Sequence, residues 1–596
     1  MPPVDTESVT GLDDAVFDFV VVGGGTSGLV VANRLTELPG VRVLVLEAGA
    51  NRLGDPRIVV PGLAPATFED PDFDWDFRSI PQGQLNDRQL VGSKGRTLGG
   101  SSAINLGMVI YPSEAGMNAW EQLGNPGWGW SEFAPYTFFE GMHYEQEDQG
   151  SDGPVQVSFG DQYMPYHAAW MDAFRALGYP PSADPIKGKG TGPFVTPGAV
   201  DSATLTRSHA GAAYFSETVQ QRQHLRVVTG ALVDKLILET RNGSAVATAL
   251  QFSKGGKNYT ISVNKEVVLA AGATQTPQIL ELSGIGDANL LRSHGIDPVI
   301  DNPSVGENLQ DHGIVSFSYE VADGIPSGDM ARDPAVAAAA MAAYQKDGSG
   351  PLGMVSMVSA FMPCLEFPDE ERAKLLQQVD EKQSQVLHQL LKDPNEPTVQ
   401  YVLAPFQLRP RAGPDPKAIF GLGHPGFFIS IFTLLSYPLS RGSVHIQSKD
   451  PTDKPSLNHG ILNHPADLEL HARHCMWTEK MVETEPMAAL LKKNGERLHT
   501  PERLTDLDKA KELCKELVLS MYHSSGTCAM MPQEDGGVVD ARLRVYGTSN
   551  IRVVDASLFP LVPRGNIQAT VYAVAEKAAD IIKEDLWILL YKIQKV

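Results

Sequence analysis

The residues that most plainly carry chemistry lie near the start of the chain, at Gly23-Gly24-Gly25-Thr26-Ser27-Gly28. Gly23 suits a tight turn, Gly25 lets backbone come close to a pyrophosphate, and Gly28 permits close packing of a helix on a strand. Glu47 follows at the spacing of an acid that accepts a hydrogen bond from a ribose hydroxyl. The chemistry is dinucleotide binding, with phosphates held by the N–H groups of a helix N-terminus. The glycine pattern alone does not separate FAD from NAD. Its place within the first fifty residues fits FAD enzymes.

Three elements must surround that loop. Phe17–Val22 (FDFVVV) reads as a buried parallel strand, residues 29–35 as a helix with small and apolar residues on one face, and Val41–Leu46 as a second strand ending at Glu47. Further along, residues 225–228, 233–238, 265–270 and 551–554 read as strands, and 569–582 as an Ala-rich helix. Alternation over 426–435 and 442–447 fits strands of a different sheet. Residues 335–344 and 369–391 read as helices, with Glu370-Glu371-Arg372 on a solvated face.

The 596-residue length allows two to four domains. The 42% hydrophobic and 20% charged residues exclude wholesale disorder, and the 56 Gly and 42 Pro imply many turns. A net charge of −22 argues against nucleic acid or an anionic membrane as the main partner. Cys364, Cys475, Cys514 and Cys528 show no CxxC spacing, so neither a disulfide framework nor a metal site is expected, although one disulfide remains open. Asn242 and Asn258 sit in N-x-S/T sequons, which without secretion are chance matches. The N-terminus carries no secretory signature, which implies a cytoplasmic protein if the chain is complete and leaves secretion open for a trimmed form. No apolar run is long enough to span a bilayer.

Several longer segments are more specific. They are GRTLGGSSAIN at 95–105, GATQTPQILELSGIG at 272–286, VGENLQDH at 305–312, PLSRGSV at 438–444, YHSSGTCAM at 522–530 and GVVDARLRVYGTSNIRVVDASLFP at 537–560. In order and spacing, from about residue 15 to 585, they resemble the glucose–methanol–choline (GMC) family of FAD-dependent oxidoreductases. The resemblance implies a discontinuous α/β FAD-binding core of Rossmann type. It also implies an inserted α+β substrate domain with a mostly antiparallel sheet. The implied layout is 15–320 mainly FAD-binding with interleaved substrate segments, 321–515 mainly substrate-binding, and 516–585 a return to the FAD domain.

The resemblance also implies roles. His523 is the catalytic base that takes the proton of an alcohol while a hydride goes to the flavin, and Asn566 stands where relatives have His or Asn, as a hydrogen-bonding partner. Cofactor contacts carried over by motif are Gly23, Gly25, Thr26, Ser27, Gly28, Glu47, Ala48, Arg96, Gly100, Ser101, Asn105, Met108, Val109, Val233, Asp555, Ala556, Ile567 and Gln568. Trp75 is a further candidate near the adenine, and Tyr522 for the substrate pocket. His312 is expected to be structural, at a cofactor-proximal surface; His459 and His464 are expected in ordinary loops; Asn125–Trp130 is expected as a structural turn. Because residues 99–105 hold no His, Cys or Tyr, the FAD is expected to be non-covalent. The implied partners are a small alcohol and oxygen or another electron acceptor. An alternative on the same fold uses His523 as an acid/base with FAD structural, as in cyclases of secondary metabolism or hydroxynitrile lyases. A photodecarboxylase is a third activity of this fold, and no residue pattern favours it.

Overall fold

A computed structural model describes the chain apart from residues 1–5, 13–14, 138–152, 161–162, 182–187, 364–367, 377–380 and 594–596. The apolar run Phe17–Val22 forms the strand expected of it, with Phe19, Val20 and Val21 fully buried. A strand buried on both faces needs apolar residues at every position, not at alternate ones. It pairs in parallel with Val43–Leu46 on one side and with Lys257–Leu269 on the other. Leu225–Val228 extends the sheet in parallel beyond Val43–Leu46, and Ile551–Val553 pairs in parallel with Lys257–Leu269.

Lys257–Leu269 begins earlier than the apolar stretch at 265–270 suggests. Its first half alternates polar and apolar side chains and pairs antiparallel with Ser244–Lys254. The turn between them is Gly255-Gly256, at φ of 57° and 76°, the positive values that a two-residue hairpin requires. Only the second half enters the parallel sheet. One strand therefore belongs to two pairing patterns, and hydrophobic patterning reports the buried half alone. Leu232–Arg241 completes this antiparallel extension.

A second, six-stranded sheet runs in the order Leu519–Ser520, Gly313–Glu320, Phe428–Leu435, Val399–Ala404, Val358–Met362, Gly192–Val195, and each neighbouring pair is antiparallel. Three of these strands lie outside 321–515. Val315, Phe317 and Tyr319 pack against Trp170, Cys475 and Trp477 of the covering helices. On the opposite face, Ile314, Phe432 and Leu434 pack with Met108 and Met521. That second face looks toward the site described below.

Within the stretch 369–391 the described residues form helix over Asp369–Leu376 and Glu381–Lys392, and residues 377–380 lie outside the described residues. Val386, Leu387, Leu390 and Leu391 are buried, whereas the charged Glu370 and Glu371 are exposed. The Asn125 side chain accommodates its turn by donating to the Trp120 carbonyl, as a structural turn should. Cys475, Cys514 and Cys528 are buried free thiols, and Cys364 falls outside the described residues. Among the described residues no helix is long and apolar enough to cross a membrane.

The closing helix, Gln568–Ile593, is fastened to the first sheet by Arg552. This fully buried guanidinium donates to both oxygens of Glu266, at 2.6 and 2.9 Å, and to Asp585 at 2.7 Å. Removing one member of such a buried group leaves charge without compensation. Arg552→Met is expected to cost about 3–5 kcal/mol, read as a lowered thermal or denaturant midpoint.

Candidate active site

The parallel strands of the first sheet deliver Gly23, Glu47, Ala270 and Asp555 to their carboxyl ends, the edge where open α/β sheets bind ligands. Gly23 sits at φ 103°, and a Cβ there would meet the Ala270 carbonyl oxygen at 2.4 Å. A Cβ on Gly28 would lie 1.9 Å from the Gly23 carbonyl oxygen, so the helix Thr26–Leu35 can start only if that position is glycine. A second glycine loop packs on the first: Gly100, at φ 54°, has its missing Cβ 2.7 Å from the Gly25 Cα. The Glu47 carboxylate accepts from Gly24 N at 2.8 Å and Gly49 N at 2.7 Å, and burial pushes its pKa up to about 7. Asp555 accepts from Gly272 N and the Thr276 hydroxyl, joining the end of Ile551–Val553 to the neighbouring helix.

One long cavity gathers most of the expected residues. Gly23, Gly25, Thr26, Ser27, Glu47, Ala48, Gly100, Ser101, Asn105, Met108, Val233, Asp555, Ala556, Ile567 and Gln568 line it, and so do His523, Asn566, Trp75 and Tyr522. Three expected residues stand away from its wall. Gly28 lies behind the turn, Val109 is core, and Arg96 lies over the Trp75 ring, 4.8 Å from its centroid. Val109 follows Met108 on an extended segment, so their side chains point opposite ways and only one can face the cavity.

The wall fits a dinucleotide. Ser27 Oγ is buried at the helix N-terminus without a hydrogen-bond partner among the described residues, and Gln568 Nε2 and Asn566 Oδ1 are buried and unpartnered in the same wall. Unsatisfied buried polar atoms are costly unless a bound group or water completes them. The two glycine loops leave backbone exposed where phosphates approach, and the N–H groups of Thr26–Leu35 supply the donors.

His523 stands at the other end of the cavity. Its Nδ1 lies 2.9 Å from His312 Nδ1, and its Nε2 lies 3.3 Å from Asn566 Nδ2. His312 Nε2 is 3.2 Å from the Ser436 carbonyl oxygen. The tautomers follow. A carbonyl only accepts, so His312 Nε2 carries hydrogen and, in the neutral ring, its Nδ1 is an acceptor. His523 Nδ1 must then donate, which leaves the lone pair on Nε2, beside Asn566. Burial, and secondarily His312, holds the His523 pKa well below the ordinary histidine value, while burial brings His312 to about 4. Both rings are neutral near pH 7.

His312 is thus not a structural residue at a surface but a buried partner of His523. The Asp311-His312 pair enters the strand Gly313–Glu320, whose direction places Asp311 under the same loop. Asp311 Oδ1 accepts from His523 N at 3.0 Å, and Oδ2 accepts from Ser520 Oγ at 2.7 Å and Ser524 Oγ at 3.1 Å. Burial alone would raise its pKa; His459, Lys94 and Ser520 reverse that and hold it well below the usual carboxylate range. His459, expected in an ordinary loop, is buried with Nδ1 3.3 Å from Asp311 Oδ2. His464 caps the helix Pro465–Val482, accepting from Ala466 N. Asp311 stands inside the VGENLQDH segment without an implied role there, and Lys94 lies just before GRTLGGSSAIN, outside every matching segment.

Comparison with known proteins identifies relatives of the whole chain. Family models described as GMC oxidoreductase match residues 17–314 and 438–575. A dehydrogenase of Monascus ruber, citC, is 35% identical, with 96% of each chain covered. An FAD-dependent oxidoreductase from Chaetomium thermophilum superposes with a TM-score of 0.84 at 28% identity, covering 96% of this chain and 99% of that one. A fungal aryl-alcohol oxidase superposes with a TM-score of 0.81 at 26% identity, covering 96% and 99%. With the dinucleotide cradle at one end of the cavity and a buried histidine pair at the other, the chain belongs to the GMC oxidoreductase family of FAD flavoproteins.

Proposed function

We propose that the protein oxidises an uncharged, apolar or aromatic alcohol to a carbonyl compound, with FAD held non-covalently. The observation that carries this reading is the hydrogen-bond chain from Ser436 through His312 to His523, which leaves a basic Nε2 at the cavity wall. The glycine loops, Ser27, Glu47, Asn105 and Gln568 would hold the cofactor. Bound FAD supplies a two-electron, hydride-accepting group.

The chain's own residues do the rest. His523 Nε2 takes the hydroxyl proton, a task suited to an imidazole that is neutral at working pH. The positive charge that results is shared, because the Nδ1 proton can pass along the 2.9 Å contact to His312. Asn566 Nδ2 lies next to Nε2 and its Oδ1 is unpartnered, so the amide can hold the substrate oxygen in place for proton transfer. Phe68, Leu106, Met108, Phe420 and Met521 line the same cavity and favour an apolar substrate body. Among the described lining residues the carboxylates are Glu47 and Asp555, both engaged by backbone N–H groups, so nothing there is arranged to bind a cationic substrate such as choline. Residues 99–105 hold no His, Cys or Tyr for covalent attachment. The similarity to an aryl-alcohol oxidase and to a dehydrogenase supports the redox reading.

Anaerobic mixing with a panel of aryl and aliphatic alcohols should bleach the flavin absorbance; product formed without bleaching would overturn the redox reading. Oxygen consumption and a dye acceptor then tell oxidase from dehydrogenase. His523→Ala should keep FAD and lose about 10²–10⁴-fold in the rate of flavin reduction. Because His523 is held below its ordinary pKa, its base form persists as pH falls, so kcat/KM should stay level below about 6.5 before declining. His312→Phe removes the acceptor that selects the tautomer; kcat should fall up to about 10²-fold with FAD content unchanged, as stopped-flow reduction and the ratio of visible to ultraviolet absorbance would show.

A further inference from the structure

The residue before His523 is strained. Tyr522 has φ 64°, in the left-handed region, which an aromatic residue adopts only when its surroundings enforce it. Two groups enforce it. Ser520 Oγ accepts from Tyr522 N at 2.9 Å, and Lys94 Nζ donates to the Tyr522 carbonyl at 2.6 Å. Asp311 then fixes the next peptide through His523 N. The backbone is thus gripped on both sides of the Tyr522 α-carbon and at the peptide that leads into His523.

Lys94 comes from a distant loop, between the short strand Val91–Gly92 and the helix Ser101–Ile104. It lines the cavity beside Tyr522 and His523. Its ammonium has three donors, and a backbone carbonyl is the one hydrogen-bond acceptor it meets among the described residues. The carboxylates that act on it are committed elsewhere: Asp74 accepts from Ser93 Oγ, Lys94 N and Asp76 N, and Asp311 accepts from the His523 loop. Burial lowers the Lys94 pKa, and Asp311 and Asp74 oppose that. A cation kept at this cost for one carbonyl is not explained by an ion pair.

The charged and titratable groups that bear on His523 are His312, Asp311 and Lys94. Asp311 by itself favours a protonated imidazole; Lys94 opposes it. We infer that Lys94 is a positioning residue for His523: its ammonium holds the left-handed turn at Tyr522 and balances the fixed negative charge of Asp311, so that the imidazole is both aimed and unprotonated. This rests on the base role proposed above. No residue of the glycine-loop cradle takes part, so cofactor binding should be largely independent of it.

The test compares Lys94→Met, close in length but uncharged, with Lys94→Arg, which keeps the charge and a donor. For Lys94→Met the expected results are a roughly 10-fold slower anaerobic flavin reduction and an acid limb of kcat/KM moved upward by about one pH unit. FAD content should be unchanged. Lys94→Arg should return the acid limb to its original place. An acid limb that stays put in Lys94→Met, whatever the rate, would overturn the inference. A crystal structure of Lys94→Met reads the clamp without turnover: Tyr522 should leave the left-handed region, and its retention there would count equally against the inference. That readout also separates two failures. If the unaltered enzyme reduces with no alcohol, the proposed function fails while the conformation of Tyr522 still decides the role of Lys94. If Lys94→Met does not load FAD, Lys94→Gln, polar and uncharged, replaces it in both measurements.

Discussion

The carboxylate of Asp311 is the constraint on which the His523 end of the cavity rests. It is buried, and it accepts hydrogen bonds from the His523 backbone and from the Ser520 and Ser524 hydroxyls. A buried carboxylate is stable only when its lone pairs are filled in good geometry. Filling them dictates the path of the 520–524 loop, and that path dictates where the imidazole points. Because Asp311 also leads into Gly313–Glu320, the loop is registered against the second sheet. Packing of that sheet is therefore transmitted to the reactive nitrogen.

The two ends of the cavity use opposite strategies. At the glycine loops the wall is backbone: side chains are absent at Gly23, Gly28 and Gly100 because a Cβ at any of them would collide with neighbouring main chain. Recognition there depends on N–H groups and on a few unpartnered polar atoms such as Ser27 Oγ. At the His523 end the wall is side chain, with one imidazole backed by that of His312, an amide and aromatic rings. Low dielectric strengthens each electrostatic term there. Both histidines are kept neutral by burial, which is what a base needs and what a surface histidine would not achieve.

Much of this was legible before folding was considered. The strand, glycine turn, helix, strand and acid over 17–47 stand as their local pattern requires, because each element is specified by residues within it. The motif positions of His523 and Asn566, 43 residues apart, come together at 3.3 Å. What local pattern misled on has a common cause. The early part of Lys257–Leu269 pairs with a hairpin and carries polar side chains, so it hides from a hydrophobic reading. Arg96 sits inside a matching motif and Val109 just beyond it, yet neither lines the cavity, since motif membership does not report side-chain direction.

Sequence by itself determined the dinucleotide cradle and the family, since these depend on residue type at short spacing. Tertiary structure alone decided the surroundings of His523. His312 and His523 are 211 positions apart, and Lys94 is 428 from Tyr522. Proton affinity and tautomer are set by burial and by neighbours within a few ångströms, and such neighbours become neighbours only when two sheets pack around one cavity.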